Sequence, residues 1–347
     1  MERRAVVKAR KLILHLGLAK TGTTVLQNSL HAHRSKLMSD HGILFAPGGP
    51  NHYHFQTAVS EAPERLVQVR REGIATPMDA RKLATRFLSD FEEELLAHQP
   101  QTILISSEYF SSMSQDELAA LMTLLAGYAE EIVGILYVRD PWSFSISLMQ
   151  QWIRDGVLAA PIKFGYASGQ VEAVRLFETM LGDRLVVRPY LGMKGRRTRI
   201  IHDFCQTIGI PEFPEVADET TQSNVSIGRI KSTMIAEFNC IWPQFDAEGT
   251  FVHSDARDLA LHTLLAQPIA DYPIEHSRHQ LRIIRTMAKD DMAYLEERYF
   301  GNSPVFSSYV DDDKAKDFPH EVCFESLPPA DLVAISRTSI EALARNR

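Results

Sequence analysis

Short apolar runs without alternation recur through the first two thirds of the chain. Between them lie longer stretches whose apolar residues return every three or four positions. Lys11–Gly17 (KLILHLG) is apolar, β-prone and closed by glycine, and Leu18–Thr24 is small and polar. From Val25 to about Arg34 the pattern turns helical, with Val25, Leu26, Leu30 and then Leu37 as its apolar positions. This predicts a strand–loop–helix unit at the start of the fold. Gly42–Ala46 reads as a second strand, stopped by Pro47-Gly48-Gly49-Pro50, while Asn51–Glu72 shows no clear period. Met78–His98 is an amphipathic helix, with Leu83, Phe87, Phe91 and Leu95 four apart. Thr102–Ser106 reads as a buried strand. Ser114–Tyr128 reads as a helix opened by a capping box, Ser114 with Glu117. Ile132–Val138 has no alternation, as expected of a strand covered on both faces. Pro141 then precedes a helix over Trp142–Asp155, near a first turn that tolerates proline. Leu185–Val187 is a late strand, and Thr198–Ile208 a helix stopped by Gly209 and Pro211. The remainder reads as mostly helical, with loops near 211–224, 243–255 and 301–320. Strands alternating with helices predict a three-layer α/β fold around a central parallel sheet. One domain over 1–347 is expected, with a core over 1–210 and a mostly helical extension over 211–347.

Composition narrows the class. The chain has 347 residues, 45% hydrophobic and 23% charged, enough apolar material to bury a sizeable core. Its net charge of −7 excludes a nucleic-acid-coating surface but not a local basic pocket. Cys205, Cys240 and Cys323 are far apart and form no CxxC pair, which argues against a disulfide scaffold or structural zinc and suits a reducing compartment. The basic, then apolar N-terminus imitates a signal peptide, but His15 interrupts the run and Lys20 ends it. No stretch reaches the roughly 20 apolar residues of a membrane span. The expectation is a cytoplasmic globular protein.

Chemistry enters at Gly17-Leu18-Ala19-Lys20-Thr21-Gly22-Thr23-Thr24, which follows a strand and opens a helix. Backbone N–H groups at a helix start point outward, the helix dipole adds positive potential, and a lysine adds a full charge. The pattern is not a Walker A motif, in which lysine follows the second glycine; here Lys20 precedes Gly22. The strand Ile132–Val138 ends in Arg139, which would repel magnesium, rather than in a Walker-B acid. An Mg-dependent ATPase or GTPase is therefore disfavoured.

Leu14–Gln27 (LHLGLAKTGTTVLQ) closely resembles the 5′-phosphosulfate loop of sulfotransferases that use 3′-phosphoadenosine-5′-phosphosulfate (PAPS). That family's second signature is a strand followed by an arginine and, eight positions later, a helical serine. Arg139 and Ser147 fit it, after Leu136-Tyr137-Val138. A weaker echo is Leu185–Ile210, with Tyr190 on a strand and a later Ile208-Gly209 turn. The resemblance covers roughly residues 11–210 and is to soluble bacterial members rather than membrane-anchored Golgi ones. It implies a P-loop-like fold and PAPS as sulfuryl donor. It also implies that the 211–347 extension supplies acceptor and lid elements. Thr21, Gly22, Thr23 and Thr24 would grip the 5′-phosphate and sulfate, and Arg139 and Ser147 the 3′-phosphate. The chemistry agrees, because arginine at a strand end can bind phosphate bidentately.

Sulfuryl transfer is an in-line displacement in which charge develops on the bridging oxygen. Preorganised cations and N–H donors lower its barrier, and Lys20 is the natural candidate. No metal is required. The acceptor is a hydroxyl, such as one on a glycan or glycolipid, and needs a base. His52 and His54, in the loop after the second strand, titrate near neutral pH when unperturbed. Glu108 follows the strand Thr102–Ser106, at the sheet edge where open α/β folds bind ligands. A histidine is the preferred base, with Glu108 orienting it or binding the acceptor. A P-loop kinase and an inactive nucleotide-binding module remain the alternatives. Lys194–Arg199, the sequon Asn224-Val225-Ser226, the acidic Asp311–Asp317 and the pair His276 and His279 weigh less.

Overall fold

The first strand, β1 (Ala9–Leu16), lies at the centre of the sheet and feeds α1 (Thr23–Ala32) through a six-residue loop. Then follow α2 (Arg34–His41), β2 (Ile43–Phe45), α3 (His54–Val59), α4 (Val67–Arg71), α5 (Pro77–His98), β3 (Thr102–Ser107), α6 (Gln115–Leu125) and β4 (Ala129–Arg139). After these come α7 (Pro141–Arg154), α8 (Gly169–Leu181), β5 (Leu185–Tyr190), α9 (Arg199–Ile208), α10 (Arg229–Ile241), α11 (Asp255–Leu265) and α12 (Arg278–Tyr299). This computed structural model describes residues 8–157, 169–190, 199–213, 227–247, 249–252, 254–266, 278–303 and 305–306.

The five strands run in the order β2-β3-β1-β4-β5, and every pairing is parallel. Both sheet faces are covered. On one, Ile13, Leu104, Ile135 and Tyr137 pack with Leu26 and Leu30 of α1, Leu37 of α2 and Ile200, Ile201 and Phe204 of α9. On the other, Gly134 lies so close to α8 that an added Cβ would stand 2.5 Å from Leu181 Cδ1. The molecule therefore has a three-layer α/β fold around a central parallel sheet, as its alternating pattern predicts.

Contacts divide the chain into two units. One comprises Met1–Asp140, Ser168–Glu219 and Leu295–Ser303; the other comprises Pro141–Ala167, Thr220–Tyr294 and Pro304–Arg347. α7 falls in the second unit, where its Met149 and Ile153 share a core with Ile227, Ile235 and Ala236 around α10. Gln150 Nε2 donates to the Ile227 carbonyl (2.6 Å), and Asn239 Nδ2 to the Ile153 carbonyl (2.7 Å), so α7 is tied into the second unit.

Element limits follow the pattern closely in the first unit. The capping box is present: Glu117 N–H donates to Ser114 Oγ (3.2 Å), and Ser114 N–H to Glu117 Oε2 (3.0 Å). The helix expected from Val25 starts at Thr23 and breaks at His33 before α2 resumes. β4 begins earlier than its apolar run, because Glu130 and Glu131 are exposed at its start. The aperiodic Asn51–Glu72 segment holds α3, α4 and a single 3-10 turn over Pro63–Arg65.

Candidate functional site

All strands point the same way, so the ends of β1, β3 and β4 lie on one edge of the sheet, where the loop 17–22 crosses. Two left-handed residues shape this loop, Lys20 (φ +64°) and Gly22 (φ +79°). At Gly22 any side chain would be both strained by the positive φ and crowded. A Cβ there would stand 3.0 Å from Tyr190 Cε2 and 3.1 Å from Ile200 Cδ1. Gly17 is equally enclosed: an added Cβ would stand 2.7 Å from Thr23 Cγ2 and 3.2 Å from Glu108 Cα.

The threonine hydroxyls turn inward. Thr21 Oγ1 donates to the Leu18 carbonyl (2.7 Å), and so does Thr23 Oγ1 (3.1 Å). Both side chains are buried, so they close the loop on itself rather than reach outward. What they leave for an anion is backbone. The first intrahelical bond of α1 runs from Leu26 N–H to Gly22 O (3.2 Å), so the N–H groups of Thr23, Thr24 and Val25 precede it. No acidic residue occupies the first turn of α1 to compete with a bound anion. Thr24 is exposed, and Lys20 is half-buried.

Arg139, 119 residues further on, arrives at the same loop. Its Nη1 donates to the Lys20 carbonyl (2.9 Å), and its guanidinium carbon lies 5.7 Å from the centre of the Tyr190 ring. Tyr190 thus touches both halves, packing on Gly22 and beneath the guanidinium. Burial pushes the Arg139 pKa down and neighbouring Asp140 pushes it up; arginine keeps its charge regardless. Ser147 lies two turns into α7, half-buried, in the second unit.

The three candidate bases fare differently. His52 is wholly buried, and its Nδ1 accepts the Ser106 N–H (2.9 Å). Burial holds its pKa down at about 3. The neutral ring therefore carries its proton on Nε2, and neither nitrogen is left to take another. His54 is sandwiched between Tyr53 (4.0 Å between ring centres) and Phe87 (4.6 Å), and burial lowers it to about 4. Both rings are thus packed among core groups, His52 on the Ser106 N–H and His54 between two aromatic rings. Glu108 is half-buried and follows β3 directly, its Cα against Gly17. Its backbone is thus set beside the start of the loop.

Beneath the loop lies a polar network that the pattern does not reveal. His15 Nδ1 and Ser106 Oγ are 2.7 Å apart, and Gln27 Nε2 donates to the same hydroxyl (3.0 Å). All three are buried, tying β1, α1 and β3 together. Burial lowers the His15 pKa to about 3. The signal was present as a histidine inside a doubly covered strand and a glutamine on the buried side of α1, each of which needs a partner.

Among the described residues, no group of three or more His, Cys, Asp or Glu could hold a metal ion, and no helix is long and apolar enough to cross a membrane. The basic stretch Lys194–Thr198, the sequon at 224–226, Asp311–Asp317, His276 and the side chains of Arg199 and His279 lie outside what is described.

No family model and no curated protein matches the chain. A solved chain from a study of the PezAT chromosomal toxin–antitoxin system of Streptococcus pneumoniae aligns at 17% identity. The alignment covers 64% of this chain and 84% of that one, with a TM-score of 0.25, too slight a likeness to bear on fold or function.

Proposed function

We propose that this protein is a PAPS-dependent sulfotransferase acting on a hydroxyl acceptor. The observation that carries the reading is the meeting of Arg139 with the Lys20 loop. Two signatures 119 residues apart in sequence make a hydrogen bond at the end of β1. A nucleotide with separated anions needs such a pair. The α1 N-terminus and Lys20 suit the 5′-phosphosulfate end, and Arg139 suits a second phosphate. Ser147 is assigned to that phosphate by the resemblance alone. Lys20 would neutralise charge on the bridging oxygen, and Glu108 is the residue we assign as base. A glycan or glycolipid hydroxyl as acceptor and a cytoplasmic location belong to the same proposal.

The test is calorimetric titration of the full chain with 3′-phosphoadenosine-5′-phosphate (PAP) and with ATP, each with and without magnesium. Magnesium-independent PAP binding is expected, weakened about tenfold or more by Arg139→Ala. Preference for Mg-ATP overturns the reading in favour of a kinase. PAP binding without transfer to any acceptor in a glycan and small-molecule panel indicates a binding module. In an active preparation Glu108→Gln should lower kcat by about 10²-fold or more, and His52→Asn should not.

A further inference from the structure

The last residue of β4 is held by a side chain from α8. β1 pairs with β4 only as far as Leu16 opposite Leu136, so the final residues of β4 run beyond it. β5 stays in register to the end, with Tyr190 opposite Arg139. At that point the Gln170 carboxamide accepts the Arg139 N–H at Oε1 (2.8 Å) and donates from Nε2 to the Arg139 carbonyl (3.1 Å). These are the two bonds a neighbouring peptide would make. Gln170 stands in the first turn of α8, 5% exposed. Two bonds to one residue restrict both of its backbone dihedrals, and with them the direction of its Cα–Cβ bond. The guanidinium at the end of that bond lies over Tyr190 and donates to the loop.

We propose that Gln170 is a positioning residue that aims Arg139 at the second phosphate of the nucleotide, an inference that rests on the sulfotransferase reading. Only glutamine fits the geometry. Glutamate has no donor for the Arg139 carbonyl, asparagine is one methylene shorter, and methionine makes neither bond.

The experiment compares the full-length wild type with Gln170→Met and Gln170→Asn. PAP and adenosine 5′-monophosphate, which lacks the 3′-phosphate, are titrated separately, and exchange of the Arg139 amide is followed by NMR. We expect PAP affinity to fall about tenfold while monophosphate affinity stays unchanged, with faster Arg139 exchange in both variants. A PAP-to-monophosphate ratio held at the wild-type value, or unchanged Arg139 exchange, overturns the proposal. A general loss of structure would lower both affinities together, which also overturns it. If the wild type shows no preference for PAP, the sulfotransferase reading falls and the exchange rate alone decides the clamp. If Gln170→Met fails to fold, Gln170→Asn carries the test, because it keeps a polar amide.

Discussion

Lys20 holds a left-handed backbone conformation that costs a non-glycine residue about 1 kcal/mol. Its carbonyl receives the Arg139 guanidinium, which offsets that cost and ties the loop's shape to the second signature. Gly22, two residues on, is left-handed as well and is enclosed by Tyr190 and Ile200. Gly22→Ala should therefore destabilise the protein by about 1–3 kcal/mol and weaken PAP binding more than any solvent-facing change. Urea unfolding and calorimetry on one preparation would check this, and an unchanged unfolding midpoint would count against the strain argument. The roles of Thr21 and Thr23 were only half legible. Hydroxyls in a phosphate loop suggest contacts with the anion, yet both are bonded to Leu18. A side chain's direction depends on the loop's dihedrals, which the residue types do not specify.

Among the elements, α6 and α8 show the two extremes of legibility. α6 declares its start, because a capping box is a local interaction between residues three apart. Ser114→Ala should cost about 1 kcal/mol, read as a lowered thermal midpoint with nucleotide binding intact. A change below about 0.3 kcal/mol would show that the exposed cap contributes little. α8 was not read from the sequence, although Val171, Val174, Phe177 and Leu181 are buried. Its start signal in the sequence is a single serine, Ser168, followed by Gly169, and its Leu181 packs against Gly134 of β4. β4 and β5 were both read short, since their polar or prolyl ends gain their strand geometry from parallel neighbours. Periodicity detects burial, and strand ends extend past the buried layer.

Across the whole molecule, buried histidines make stability depend on pH. His15 and His52 have pKa values of about 3 in the folded state, below the unfolded value near 6.5. Between those values the unfolded chain binds more protons, so stability falls as pH drops from about 6.5 toward 3 and is level above. At pH 5 each residue should cost about 2 kcal/mol relative to pH 7.5. Urea titrations at pH 7.5, 6 and 5 measure this; equal stability at pH 7.5 and 5 would contradict it. His52→Asn, whose Oδ1 can accept the Ser106 N–H, should flatten the slope. The net charge of −7 shapes the long-range field of the chain. Arg139 meets the Lys20 loop through the Lys20 carbonyl, and beyond a Debye length the exposed surface charges are screened from that point.

The sequence by itself determined the alternation of elements, and so the parallel three-layer sheet, because hydrophobic period and helix signals are local. It also determined the small, glycine-bounded loop with its lysine, since the strand–loop–helix context is contiguous. Only the tertiary structure decided what meets across the chain. It brings Arg139 to Lys20, fastens Gln170 to Arg139, and buries His52 against Ser106 while leaving Glu108 beside Gly17. It also joins α7 to α10 in one core, about 80 residues apart in sequence. These outcomes depend on register and packing between residues far apart in sequence. A residue's type states which bonds it can make, and the fold alone states which partner is within 3 Å to make them.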